Sequence, residues 1–484
     1  MSNDALRGKL NMLRKNQLFI LCFCLITVTG CTVGPNYRSP EPNVPSSWSG
    51  PTAASGQTTA MMTEDLVHWW TTFGDKTLTS LIERAVNSNL DLKQAETRIL
   101  EARASRGIVT AGLWPSAAAT GSFTRSRSGG TTSFGSGGGA TRNLYQAGLD
   151  AAWELDVFGG VRRDVEAANA DVLAAVEDRS DVLVTLTAEV ALSYIELRGF
   201  QQQIVIAQNN LKAQRHSAKL TRQRFEGGFV SALDVANADA LVATTASQIP
   251  VLESSARQTI YSLSVLLGLE PSALVQELMQ ASEIPAAPPA VPVGIPSDLL
   301  RRRPDVRRAE AQIHSATALI GVATADLFPK LSLSASGGFQ GNQSGTWTNW
   351  NNRFWSLGPS ASWQVFDAGR IGANIDLQKV IKEQSVITYQ QTVLTALQDV
   401  ENALIASAKE QEHRSALVEA VAANRKAVDL ATKLYTEGQT DFLNVLEAQR
   451  SLYASEDALV QSTRTVSTNL VALYKALGGG WTIE

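Results

Sequence analysis

The sequence predicts an internally duplicated α+β membrane protein, in which paired β-strands alternate with helices too long for a compact domain. Three observations carry this. Residues 161–226 contain no proline, and apolar or small residues recur there every seven positions, at Leu183, Val190, Leu197, Ile204, Leu211, Ala218 and Phe225. At ~1.5 Å rise per residue such a helix reaches on the order of 100 Å, so it must project as a rod or tube wall. The period then differs in residues 145–157, where Tyr145, Leu149, Trp153 and Val157 alternate with Gln146, Asp150 and Glu154. That alternation is a strand with one apolar and one polar face. Finally, the whole pattern occurs twice. Asp91, Ala95, Glu96, Ile99 and Pro115 return 214 positions later as Asp305, Ala309, Glu310, Ile313 and Pro329. Trp153, Gly159, Phe225, Gly228 and Leu233 return at a spacing of 210 as Trp363, Gly369, Tyr435, Gly438 and Leu443.

Taken in order, residues 1–30 read as an export signal, with Arg7, Lys9, Arg14 and Lys15 ahead of an apolar run over 18–28. Val28-Thr29-Gly30-Cys31 resembles a bacterial lipobox, which makes Cys31 the expected site of a covalent lipid. Cleavage there removes Cys22 and Cys24, so the mature chain has no cysteine pair for a disulfide. It also lowers the net charge from −4 to −7, which argues against nucleic acid as a partner. Residues 31–70, rich in Pro, Ser, Thr and Gly, read as an extended strap.

The first copy, 71–270, should hold strands at about 116–127 and 143–157 and long helices at about 160–226 and 231–267. The second, 304–477, should hold strands at about 330–340 and 353–366 and long helices at about 369–436 and 441–475, with a tail over 478–484. The loop 128–140 contains Gly135-Ser136-Gly137-Gly138-Gly139 but lacks the Lys-Ser/Thr ending of a phosphate loop and leads into a strand. Gly227, Gly228 and Gly438 read as left-handed positions that end the long helices in tight reversals.

Four strands of about ten residues are long enough to cross a bilayer but too few to close a barrel, whose smallest form has about eight. An open edge in lipid leaves backbone groups unpaired, so copies must associate: two would supply eight strands and three would supply twelve.

Several motifs resemble those of the TolC-type outer-membrane factors, in the OprM/NodT-like lipoprotein branch that serves resistance-nodulation-division (RND) efflux pumps. They are Cys31-Thr32-Val33-Gly34-Pro35-Asn36-Tyr37, Trp153-Glu154-Leu155-Asp156-Val157-Phe158-Gly159, Arg302-Arg303-Pro304-Asp305 and Gln398-Asp399-Val400-Glu401. The resemblance covers residues 31–477 and implies a homotrimer with a twelve-stranded β-barrel, a long periplasmic α-helical barrel and an equatorial linker over 271–303. It also implies a periplasmic adaptor and an inner-membrane RND-type transporter as partners, with outer-membrane lipid around the barrel.

The tip turns at Gly227, Gly228 and Gly438 would meet the adaptor. The family's gate maps onto Leu443, Asn444, Glu447 and Arg450, and its tip latch onto Asp234 and Tyr435. As residues alone, Glu447 and Arg450 also read as an ordinary i, i+3 surface pair. Thr440 stands where TolC has a basic latch residue. His68, His216, His314 and His413 are scattered, so neither a metal site nor an enzyme is expected, and no cofactor beyond the lipid. Arg301, Arg302 and Arg303 read either as an anion patch or as a solvated helix start. The functional expectation is an efflux duct; a duct for type I protein secretion and a structural coiled-coil surface protein are the alternatives.

Overall fold

The computed structural model describes residues 32–41, 44–49, 66–127, 141–286 and 296–482. The chain divides into two compact units. One takes residues up to Pro40 with Ile99–Ala174 and Ala309–Tyr389; the other takes Glu41–Arg98, Ala175–Arg308 and the chain from Gln390 onward.

Helices α1 (Lys76–Ser88) and α2 (Leu90–Ala111) lead into β1 (Ser116–Arg127) and β2 (Thr141–Leu155). The long α3 (Gly160–Glu226) and returning α4 (Ala232–Leu266) follow, then the short α5 (Val275–Leu278) and α6 (Pro296–Arg302). The second copy repeats the order as α7 (Pro304–Ala325), β3 (Lys330–Gly341), β4 (Arg353–Ser362), α8 (Arg370–Thr436) and α9 (Phe442–Ala476). Both α3 and α8 are 67 residues long, and α4 and α9 are each 35. Among the described residues no helix is long and apolar enough to cross a membrane.

In the first unit the two hairpins join in one antiparallel sheet of order β1-β2-β3-β4, with Trp153 opposite Leu333 and Asp150 opposite Ser336. The pleat sends alternate side chains to opposite faces. One face collects Phe123, Tyr145, Leu149, Leu333 and Leu357; Phe123 packs on Tyr145 with ring centres 4.7 Å apart. The other face is a hydroxyl ladder. Ser332 bonds Ser360 and Ser336 bonds Ser356, both at 2.8 Å, and Thr120 donates to Asp150 at 2.8 Å. Where β2 crosses β3 the backbones approach closely: a Cβ at Gly148 would lie 2.8 Å from the carbonyl oxygen of Gly337. Only glycine fits there.

Two strand ends differ from expectation. The strand expected over 143–157 ends at Leu155, because Asp156 turns to cap α3, accepting from the amides of Val161 (3.1 Å) and Arg162 (2.9 Å). The strand expected over 353–366 ends at Ser362, where the Trp363 indole donates to the Leu327 carbonyl at 3.0 Å. The first copy makes the same bond from Trp153 to Leu113, also at 3.0 Å. Each indole ties the end of its hairpin to the chain entering it.

The second unit holds the larger core. Trp69, fully buried, stacks on Tyr474 with centroids 5.2 Å apart. Leu78, Leu81, Ile82 and Ala85 bury one face of α1 completely. Each leucine or isoleucine buried in this way contributes roughly 1.5–3 kcal/mol. Asp75 starts α1 by accepting from the amides of Thr77 and Leu78, and its other carboxylate oxygen accepts from the Tyr194 hydroxyl at 2.8 Å. The apolar seam of α3 is buried at Val190, Leu197, Leu211 and Ala218, whereas Phe225 at its end is exposed. α4 runs through Pro250 without stopping, its flanks held by buried Leu241, Thr245, Ala256 and Ile260.

Candidate functional site

The ends of α3 and α8 close in the same way. After α3, the Gly228 amide donates to Phe225 and the Phe229 amide to Arg224; after α8, the Gly438 amide donates to Tyr435 and the Gln439 amide to Leu434. These are Schellman turns, which need one left-handed residue. Gly228 (φ 76°) and Gly438 (φ 77°) supply it. Gly227, expected to be left-handed as well, is not. It follows the last helical residue, Glu226, its amide still donating to the Gln223 carbonyl at 3.1 Å, and its counterpart in the second copy is Glu437. That non-glycine counterpart is the sequence signal that distinguishes the two adjacent glycines.

Beneath the turns lies an apolar cluster of Ala218, Ala238, Leu241, Tyr435, Phe442, Val445 and Leu446. Tyr435 is its centre, 2% exposed, with its ring 5.5 Å from that of Phe442. The Tyr435 hydroxyl donates to Thr221 Oγ1 at 3.3 Å. Asp234, the other half of the latch that the resemblance implies, instead closes a capping box with Ser231 at the start of α4. The Tyr435–Asp234 contact is therefore not made within the chain, since each group already has a nearer partner. The sequence reading missed Arg224. Its guanidinium donates to the Tyr435 carbonyl and lies over the Tyr435 ring at 4.7 Å.

On α9, Phe442, Val445, Leu446 and Gln449 are buried, and Leu443, Asn444, Glu447 and Arg450 are exposed. The helical spacing thus gathers the four expected gate residues on one outward face. Arg450 donates to Glu447 at 3.2 Å, and Asn444 donates to Thr440 at 2.7 Å. Leu443 is 57% exposed, a bulky apolar group offered outward beside an ion pair. Below, Gln449 donates to Ser217 at 2.8 Å, and Asn210 and Arg425 both reach Glu456 at 2.8 Å.

Cys31 lies outside the described residues, but residues 33–39 that follow it are docked in the first unit. The Val33 amide donates to the Phe158 carbonyl at 3.1 Å. Arg163, 4% exposed, donates to the carbonyls of Val33 (3.1 Å) and Gly34 (3.4 Å), to Asn36 Oδ1 (2.7 Å) and to Glu166 (2.8 Å). Burial works against the Glu166 carboxylate, but hydrogen bonds from Arg163 and His314 hold it below the ordinary glutamate range. Tyr37 stacks on His314 at 4.2 Å and donates to Glu310 at 2.9 Å. Burial, followed by that carboxylate, pushes the Tyr37 hydroxyl well above its usual range. The described part of the first of the motifs behind the resemblance, residues 32–37, is thus a docking sequence.

Within the arginine run, Arg301 stays exposed at the end of α6, whereas Arg303 is spent on structure. Arg303 forks onto Asp305 at 2.7 and 3.0 Å, and reaches Asp399 (3.0 Å) and the Ala476 carbonyl (3.2 Å). The Arg303 charge is therefore available neither to an external anion nor to solvent, because it is consumed within the second unit. Among the described residues no cluster of three or more His, Cys, Asp or Glu is placed to hold a metal.

Two hairpins of 10–15-residue strands, each followed along the chain by a 67-residue helix and a returning 35-residue one, characterise this fold. The chain belongs to the outer membrane efflux protein family, whose model matches residues 81–269 and 295–479. It is 34% identical to Nodulation protein T of Rhizobium leguminosarum bv. trifolii over 464 residues, 95% of this chain and 96% of that protein. It is also 34% identical to the pyoverdine export outer membrane protein OpmQ of Pseudomonas aeruginosa, over 97% of this chain and 98% of that one. Among solved structures, the outer-membrane channel OprN superposes with a TM-score of 0.87 at 38% identity, covering 93% of this chain and all of OprN. The protein is accordingly an outer-membrane efflux protein.

Proposed function

We propose that this chain forms, as a homotrimer, the passive exit duct of a tripartite efflux pump, carrying drugs or other small molecules from periplasm to exterior. The observation that carries the reading is the four-stranded sheet: β1 and β4 each pair on one side only, and the sheet has one apolar and one hydroxyl-lined face. In lipid an unpaired edge costs several kcal/mol per backbone group, so the edges must be joined to other copies. Three sheets of four strands supply twelve, with the apolar face to lipid and the serine ladder to a wet lumen. Each copy of the duplication, 71–270 and 304–477, contributes one hairpin, and 271–303 links them.

A lipid on Cys31 would anchor the chain beside the docked strap. The tip turns at Gly228 and Gly438, with Gly227 alongside, would meet a periplasmic adaptor that recruits an inner-membrane RND-type transporter. Leu443, Asn444, Glu447 and Arg450 would narrow the resting pore. Threefold repetition brings three Glu447 carboxylates together, with Arg450 to offset their repulsion. Leu443 supplies bulk that excludes water.

Cross-linking of detergent-extracted protein should stop at three copies; a ladder ending at two would replace the trimer by an eight-stranded dimer. In planar bilayers the L443A/E447A double variant should conduct more than the parent at unchanged trimer yield. Parent-like conductance would reduce Glu447 and Arg450 to a surface pair.

A further inference from the structure

We infer that Arg224 is the positioning residue that holds the gate helix shut, by clamping the α8–α9 hairpin to α3. The inference rests on the reading of α9 as the gate helix. Tyr435 lies in the last turn of α8, where carbonyls have lost their helical partners and the helix dipole is negative. The Gly438 amide takes one lone pair of the Tyr435 carbonyl at 3.0 Å, and Arg224 donates to the same oxygen. The guanidinium also lies over the Tyr435 ring at 4.7 Å, a cation–π contact with its own attraction. One turn back on α3, fully buried Thr221 accepts from the Tyr435 hydroxyl. α3 therefore grips Tyr435 at both its backbone and its hydroxyl.

The grip reaches the gate through the apolar cluster that Tyr435 shares with the first turn of α9. Tyr435 packs on Phe442, the first residue of α9, and Leu443 follows it. The start of α9 has no side-chain cap, because Asp441 makes no cap bond whereas Ser231 caps α4 fully, so its hold comes from Phe442, Val445 and Leu446 in the cluster around Tyr435. The arrangement exists once per chain. At the duplication spacing of 210, Arg224 corresponds to Leu434 and Tyr435 to Phe225, so the α3–α4 hairpin is not gripped in return. The broken symmetry singles out the hairpin that carries Leu443, Glu447 and Arg450. Gly438 serves the left-handed turn (φ 77°) rather than the clamp, since a Cβ there would sit in ordinary contact, 3.5 Å from Arg224 Nη2.

The test is single-channel recording of Arg224→Ala, Arg224→Lys and Arg222→Ala beside the parent and the L443A/E447A variant. Arg224→Ala should raise the open probability about tenfold, the effect of losing ~1.4 kcal/mol, near the lower end for a charge-assisted hydrogen bond. Lysine keeps the charge but not the planar stack, so Arg224→Lys should fall between the two. Arg222 pairs with Asp239 on α4 at 2.8 Å and should leave gating unchanged when replaced by alanine. Parent-like gating in Arg224→Ala while L443A/E447A leaks would overturn the clamp and leave the gate standing. Leakage of Arg222→Ala to the same degree would overturn it too, showing mere loosening of α3. If neither Arg224→Ala nor L443A/E447A leaks, the gate reading itself fails, and the clamp with it. Should Arg224→Ala yield no trimer, Arg224→Lys decides: an intermediate leak supports the clamp, and parent-like gating rejects it.

Discussion

Replacing Arg163 by alanine should release residues 32–39 from the first unit while leaving the sheet intact. The magnitude follows from the bonds lost. Arg163 is 4% exposed and donates to Asn36 Oδ1 at 2.7 Å, to the Val33 carbonyl at 3.1 Å and to the Gly34 carbonyl at 3.4 Å. One short bond from an ionised donor is worth about 2 kcal/mol and the two longer ones about 0.5 kcal/mol each, so docking should weaken by about 3 kcal/mol. That is a change of roughly 10²-fold in the docking equilibrium. The assay is hydrogen exchange at the Val33 amide, which donates to the Phe158 carbonyl only while the strap is docked. Its protection should fall by about 10²-fold, with amides in the β2–β3 ladder unchanged. Gly321→Ala should act similarly, because a Cβ there would lie 2.7 Å from Arg163 Cγ. If Val33 keeps its protection in both variants, Tyr37 and Ser39 on Glu310 suffice to hold the strap and the reasoning fails.

Glu166 is held below the ordinary glutamate range, so its contribution is full above the unfolded value and is lost as pH falls through the depressed folded one. Acidification should therefore lower the melting temperature of the parent by a wider margin than that of Glu166→Gln; equal pH slopes would contradict this. Gly228→Ala forces alanine to φ 76° and should cost about 1 kcal/mol, whereas Gly227→Ala meets only the exposed Phe229 ring and should cost less. Thermal denaturation of the two variants checks the order. Cys31→Ser should abolish labelling by a radioactive fatty acid; retained label would place the lipid elsewhere.

What the sequence determined by itself is what local physics encodes. Proline-free runs, helix-ending glycines and two-residue alternation act within a few residues of chain. α3, for example, ends at Glu226, immediately before Gly227-Gly228. The duplication was legible because both copies kept the residues each turn and strand requires, as the equal lengths of α3 and α8 express. The helical spacing likewise put Leu443, Asn444, Glu447 and Arg450 on one face, since that follows from periodicity alone.

Tertiary structure decided whatever depends on partners far along the chain. Arg163 meets Asn36 across 127 positions, and Arg224 meets Tyr435 across 211. No period marks such pairs, so an arginine in a helix looks the same whether it is solvated, as its neighbours on α3 can be, or clamped. Arg303 read as a surface charge for that reason, yet it is spent on Asp305, Asp399 and a carbonyl. The joining of the two hairpins through β2 and β3 belongs here too. Strand polarity says which face is apolar, but only the close approach at Gly148 and Gly337 selects which edges meet.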